Sequence, residues 1–229
     1  MTTTSPGEPM SEDDPHGPGT LVARLLQSAP VVTLVSVAPV PLSVVRSLLQ
    51  RDNARENARG SWQRLRDQQE AARYDAVRTM TERYAGDGFV LDVGCSQGIL
   101  QEDLRYRRYV GVDSFAESIR IASVKSDQRT TFVLGDGSSY LADEPPDAVV
   151  LNEVIYYLAD PIAAVMHHAG QVAPGGVVII SVFSRSWATR RLLRQLAVRL
   201  APVDSLLVTS GHLAWTVVAY RPQDAAAAH

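Results

Sequence analysis

The chain has 229 residues, a net charge of −3 and a pI near 5.9. Hydrophobic residues make up 45% and charged residues 21%, the balance of a soluble globular protein of one large domain, with no global attraction to nucleic acid. The single cysteine, Cys95, excludes an internal disulfide and makes a cytoplasmic setting the expectation.

Residues 1–19 hold Pro6, Pro9, Pro15 and Pro18 among Gly, Ser and Thr, and read as a flexible tail. Residues 20–60 read as a helical extension or lid, broken at Pro39 and Pro41. Its apolar run from Leu21 to Leu42 contains Arg24 and Pro30, so it lacks the about 20 uninterrupted apolar residues of a membrane span. The residues before it are acidic, unlike a secretory signal. The extension suits a substrate lid, a hydrophobic partner surface or the arm of a homodimer. Residues 61–222 form the main domain, and 223–229 a loose end.

Within the main domain, Tyr74, Val77, Met80 and Tyr84 recur at helical spacing and predict a helix over 62–85. Gly86 and Gly88 stop it. A new grammar starts at Phe89. Apolar runs at 89–93, 109–113, 130–134, 147–152 and 177–183 predict buried strands. Between them fall predicted helices at 97–105, 115–122 and 161–172. A helix at 187–200 follows the fifth strand. Two last strands, 205–209 and 214–220, flank the turn signal Ser210-Gly211. Alternating strands and helices predict an α/β, Rossmann-like, doubly wound and mostly parallel seven-stranded sheet. The final pair is joined too tightly for a crossover and must form a C-terminal antiparallel hairpin.

An open parallel sheet binds ligands beyond the carboxyl ends of its strands, where strand order reverses. The first exit loop is Asp92-Val93-Gly94-Cys95-Ser96-Gln97-Gly98. Gly94 allows a tight turn, and Gly98 lets the backbone approach a ligand. A dinucleotide loop needs Gly-x-Gly-x-x-Gly for its pyrophosphate. This loop lacks the middle glycine and carries Asp92, which repels a pyrophosphate but favours a cation such as a sulfonium bearing an α-amino group. Asp113 ends the second strand 21 positions later, where a carboxylate accepts from ribose hydroxyls. Asp136, in Leu134-Gly135-Asp136-Gly137, is placed to accept from an exocyclic amine. Asn152-Glu153 leaves the fourth strand. Taken singly, each acidic residue also fits a helix N-cap; four in order at strand exits point to a ligand.

These motifs resemble the class I S-adenosylmethionine-dependent methyltransferases. The style is that of small-molecule enzymes such as the ubiquinone-biosynthesis O-methyltransferases and nodulation N-methyltransferases. The resemblance spans about residues 62–221 and rests on Val90 to Gly98, Tyr109 to Asp113, Gly135-Asp136, Pro146 to Glu153, Leu158 to Pro161, and Pro174-Gly175-Gly176. It implies S-adenosylmethionine as cofactor, S-adenosylhomocysteine as product, a small-molecule acceptor, and no nucleic acid or membrane partner. The implied cofactor residues are Asp92, Gly94, Cys95, Ser96 and Gly98 in the loop, and Asp113 with Ser114 after the second strand. Asp136, Gly137, Asn152 and Glu153 complete the far side. In similar enzymes an arginine ahead of the first strand pairs with the cofactor's carboxylate. The resemblance makes Arg73, near Trp62 and Tyr74, the candidate for that role; an exposed helix position is the alternative. The family commonly has glycine where this chain has Ser96; a serine fits there if its backbone avoids the left-handed region.

Methyl transfer is an in-line displacement, and holding that geometry is worth about 7–11 kcal/mol of the barrier. A base is needed only for a protonated nucleophile. Glu153, Tyr156 and Tyr157 are the catalytic candidates. Ubiquinone-type members tend to carry a histidine in this region, where this chain has Tyr156-Tyr157. Either tyrosine could face a sulfonium or pack as a core aromatic. His167 and His168 read as structural, His212 lies by the hairpin turn, and no cluster has metal-ligand spacing. No Asp or Glu occurs between Asp160 and Asp204, yet Arg185, Arg190, Arg191, Arg194 and Arg199 do. That face suits an anionic substrate, a carrier protein, or simple solvation. Two other functions remain open: a cofactor-binding protein with non-methylating or scaffolding chemistry, and a nicotinamide-dependent oxidoreductase.

Overall fold

The structure is a computed structural model that describes residues 68–184, 187–211 and 213–223. The expected tail and extension, Trp62, Arg185, His212 and residues 224–229 lie outside the described residues. Helix α1 (Gln68–Ala85) buries Tyr74, Val77 and Met80, the residues at helical spacing. Strands β1 (Phe89–Val93), β2 (Arg108–Asp113), β3 (Thr130–Leu134), β4 (Ala148–Asn152) and β5 (Val177–Phe183) follow, with helices α2 (Ala116–Ala122) and α3 (Pro161–Ala169) between them. Helix α4 (Trp187–Ala197) precedes β6 (Leu200–Ser210) and β7 (Leu213–Pro222).

One seven-stranded sheet results, in the order β3-β2-β1-β4-β5-β7-β6. The first five strands pair in parallel, and β7 runs antiparallel to both neighbours. All five residues of β1 are buried, as a central strand covered on both faces requires. Alternate residues go to opposite layers. Val90, Tyr109, Val150 and Ile179 join α1 and α2 in one core cluster. Leu91, Val110, Leu151 and Ile180 join α3 and α4 in the other. Each such aliphatic side chain contributes about 1.5–3 kcal/mol by leaving water. Order reverses between β1 and β4, which places a crevice at their carboxyl ends.

Two expected elements differ. Residues 97–103 form turns, and no helix. Ser96, Gly98 and Asp103 have φ of 49°, 68° and 62°, and left-handed residues interrupt an α-helical hydrogen-bond ladder. The stretch closes instead through short-range bonds, Glu102 N–H to Ile99 O and Leu104 N–H to Gln101 O. At the far edge, α4 stops at Ala197 and β6 begins at Leu200, five residues before the expected start. Pro202 lies in this edge strand beside a register shift at Pro202/Asp204, where a missing N–H is tolerated. Asp204 then pairs with Arg83 of α1.

No helix among the described residues is long and apolar enough to cross a membrane.

Candidate active site

The loop after β1 is tied to β2, because Gly94 and Cys95 both donate their N–H to Val112 O, at 2.8 and 3.1 Å. Gly94 has φ 76°, and a Cβ there would stand 2.3 Å from Val154 Cγ2. Ser96 is left-handed, contrary to the condition under which a serine fits that position. Its N–H donates to Asp113 Oδ2 at 2.9 Å, which holds the strained residue in place. Its hydroxyl is buried with no hydrogen-bond partner. Gly98 does not line the cleft. A Cβ on it would meet Phe132 Cζ at 2.6 Å, so this glycine answers to packing and a φ of 68°, not to ligand approach.

The cleft lies where the sheet predicts a ligand. It brings together Asp92, Gly94, Cys95, Ser96, Asp113, Ser114, Asp136, Gly137, Asn152, Glu153, Tyr157 and Arg73. Asp92 is fully buried and accepts from the Tyr109 hydroxyl. Desolvation pushes its carboxyl up to about 7, against that hydrogen bond. Asp113 is also buried and raised by desolvation, while backbone N–H donors pull the other way. Its Oδ1 accepts from Phe115 N–H at 2.9 Å, so each oxygen already fixes one backbone segment and keeps a lone pair for a ligand. Asp136 is held low, first by the Ser138 hydroxyl and then by its N–H. It shapes its own turn while its loop lines the cleft.

Arg73, 2% exposed on α1, lines the same cleft. Its guanidinium donates to Glu70 through Nε and Nη2, at 2.9 and 2.7 Å, and to Asn152 Oδ1 through Nη1. Three of its five N–H donors are engaged in this way. The helix is thereby fastened to the tip of β4. Beside it, Glu153 has φ 58°, a costly conformation for a non-glycine residue and one that concentrates at functional sites. Desolvation raises the Glu153 carboxyl to about 8, opposed by Arg73. Tyr156 is buried, donates to Glu153 Oε1 at 3.3 Å and accepts from Phe183 N–H. It lies behind the cleft and is not among its lining residues. Tyr157 is, and its ring stands edge-on to Tyr156 with centroids 6.5 Å apart.

His167 and His168 have structural roles. His168 Nε2 bonds Gly137 O at 2.7 Å, and Gln171 Nε2 lies 2.7 Å from its Nδ1. His167 Nε2 reaches Tyr140 O. Together they hold the loop after β3 against α3. Asp160 caps α3 by accepting from Ala163 N–H at 2.9 Å, with Pro161 at its start. Cys95 is buried, its thiol raised well above the usual range by desolvation. Among the described residues no three His, Cys, Asp or Glu gather to hold a metal.

Sequence reasoning missed Phe115, Leu100, Ser118, Val154 and Leu158, which also line the cleft. Phe115 is the N-cap of α2, with no side-chain cap bond. An aromatic where a capping residue is favoured, directly after Asp113-Ser114, was the available signal.

A family model for a methyltransferase domain matches residues 48–217. The chain belongs to the methyltransferase domain family. A ubiquinone biosynthesis O-methyltransferase of Leptothrix cholodnii is 32% identical over 105 residues, which cover 42% of this chain and 45% of that protein. A ubiquinone biosynthesis O-methyltransferase of Chromobacterium violaceum is 34% identical over 109 residues, with the same two shares. The chain thus spans under half the length of these curated relatives. Among solved structures, the N-methyltransferase NodS of Bradyrhizobium japonicum in complex with S-adenosylhomocysteine superposes with TM-score 0.62. It has 19% identity, and the match covers 71% of this chain and 92% of that one. The [4+2]-cyclase SpnF follows with TM-score 0.58 and 16% identity, over 67% and 82%. At these identities the two structures show the shared fold alone. That fold is the methyltransferase domain's seven-stranded sheet with its closing hairpin.

Proposed function

We propose that this methyltransferase domain binds S-adenosylmethionine in the β1–β4 crevice and transfers its methyl group to an oxygen or nitrogen of a small-molecule acceptor. The observation that carries the reading is the charged lining of the cleft. Two buried carboxylates, Asp92 and Asp113, and the buried guanidinium of Arg73 line it together. That donor set suits a ligand with a cationic sulfonium and amine, a ribose and a carboxylate. It does not suit a pyrophosphate, which the two acids would repel. The orphaned Ser96 hydroxyl in the lining adds a polar group able to meet a ligand.

When bound, the cofactor supplies an activated methyl group. The residues of this chain do the rest. Asp113 and Ser114 would hold the ribose end, the Asp136–Gly137 loop would border the adenine, and Arg73 would pair with the carboxylate. Tyr157, Val154 and Leu158 line the cleft after β4 and limit water at the reacting centre. Glu153 accepts the acceptor's proton once ionised, and Tyr156 holds Glu153 in place from behind. Titration calorimetry with S-adenosylmethionine and with NAD tests the cofactor. Binding of NAD alone overturns the reading in favour of an oxidoreductase. Labelled-methyl transfer with phenol and amine acceptors tests the reaction.

A second reading is kept by the SpnF likeness, because one fold hosts unrelated chemistries. Here the domain binds the cofactor but performs non-methylating chemistry or scaffolding. Tight binding without transfer to any acceptor favours it. The residues outside the described part leave a homodimer through 20–60 as an expectation, tested by light scattering of the chain with and without them.

A further inference from the structure

Helix α4 carries a face that the cleft does not use. Its inner stripe, Ala188, Thr189, Leu192 and Leu196, is buried against the sheet. Its outer stripe forms a shallow groove lined by Trp187, Arg191, Arg194, Gln195, Val198 and Arg199. The Arg191 guanidinium lies 5.6 Å from the Trp187 ring centroid. Trp187 and Val198 are 37% and 76% exposed, so apolar surface is interleaved with charge.

The arginines here differ from most others in the described chain. Arg73, Arg78, Arg83, Arg105, Arg107, Arg108 and Arg120 each pair with an Asp or Glu. Arg190, Arg191, Arg194 and Arg199 have no acidic partner among the described residues. Among the described residues, Arg194 and Arg199 donate to carbonyls of their own segment, Arg190 O and Gln195 O. Like charges three and four positions apart destabilise a helix, and a single Glu in the stripe would relieve them. No acid occurs anywhere from 161 to 203. Four guanidiniums without an acidic partner among the described residues therefore share one helix segment on a chain of net charge −3.

We propose that the outer face of α4 docks an acidic helix of a partner protein. From Trp187 to Val198 the stripe runs about 16 Å at 1.5 Å per residue, the length of three helical turns. Arginine and tryptophan are the side chains that anchor protein interfaces. A membrane surface fits less well, because the apolar stripe of α4 is already buried in the core and is not free to insert. Nucleic acid fits less well too, since the positive surface is one helix on an acidic protein. The face is connected to the cleft: Thr189 Oγ1 donates to Phe183 O at 2.7 Å, and Phe183 N–H donates to Tyr156, which holds Glu153. A partner seated at Trp187 therefore stands beside the exit of β5, at the same end of the sheet as the site. The inference does not rest on the methyl-transfer reading.

The test uses the full chain and a fluorescent, end-blocked helical peptide with glutamates on one face and leucines beside them. Fluorescence anisotropy should show salt-sensitive binding, and R191E/R194E should weaken it by about tenfold or more. A lysine version of the peptide should bind R191E/R194E and not the parent chain. Circular dichroism checks folding, and R191Q/R194Q, without charge reversal, should give an intermediate loss. Equal binding by the parent chain and R191E/R194E overturns the proposal. So does tighter binding to a DNA duplex or to phosphatidylglycerol vesicles than to the glutamate peptide.

Discussion

Replacing Ser96 by glycine should stabilise this protein. Ser96 is held at φ 49°, where an L side chain crowds its own backbone at a cost of about 1–2 kcal/mol. Its buried hydroxyl has no partner, and leaving such a group unsatisfied costs about 1–3 kcal/mol. Glycine removes both. It adds freedom to the unfolded chain, which offsets about 0.5–1 kcal/mol. The net expectation is a gain of about 1–4 kcal/mol, with a rise of about 2–4 °C in melting temperature per kcal/mol for a domain of this size. Ser96→Ala divides the effect, because it removes the hydroxyl and keeps the crowded Cβ. Its gain should be about 1 kcal/mol smaller than that of Ser96→Gly. Urea unfolding followed by circular dichroism reads both variants. A midpoint for Ser96→Gly at or below that of the parent refutes the strain argument. Calorimetry with S-adenosylmethionine on the same variants asks whether the hydroxyl serves a ligand: a weakened affinity alongside a raised midpoint would mean that stability was traded for binding.

Asp113→Ala should reduce S-adenosylmethionine affinity at least about a hundredfold, because it removes charge-assisted acceptors worth about 1.5–3 kcal/mol each; calorimetry showing unchanged affinity would mean the ribose lies elsewhere. The Glu153 carboxyl, raised to about 8, must lose its proton to act as a base. The pH profile of kcat/KM should therefore climb through neutrality and level off above about 8, and Glu153→Gln should flatten that limb. His168 is lowered by burial and bonded at both ring nitrogens. Above its unfolded pKa of about 6.5 it is neutral in both states and contributes nothing; below it the unfolded chain takes up a proton that the folded chain resists, so stability falls as pH drops. Denaturation midpoints from pH 7 to 5 should show this slope, and His168→Gln should lessen it.

Much of the crevice was legible before any coordinates. Acidic residues at the ends of apolar runs mark strand exits, and ligands gather at strand exits. Asp92, Asp113 and Asp136 are such residues, and all line the cleft. Less legible were the turns at 97–103, whose composition suits a helix but whose left-handed residues forbid one. Phe115 carries no hydrophobic period, and its place as an aromatic N-cap after Asp113-Ser114 was its one signal. Tyr156 and Tyr157 are adjacent in the chain, yet one is buried behind the wall and the other lines the cleft.

The linear order of residues determined which elements form and in what sequence, because hydrophobic period, glycine stops and apolar strand runs are local properties. It also determined that the last two strands must pair antiparallel around Ser210-Gly211, since so short a connection leaves no room for a crossover. Only the tertiary structure decided which groups share an environment. Arg73 and Asn152 are 79 positions apart and meet because α1 packs across the tip of β4. Gly98 serves Phe132, not a ligand. Asp92 and Glu153 acquire raised carboxyls through burial, a condition that no spacing encodes. The arginines of α4 were visible as a charge bias in the chain, but that they have no acidic partner among the described residues followed only from where the described acidic side chains came to rest.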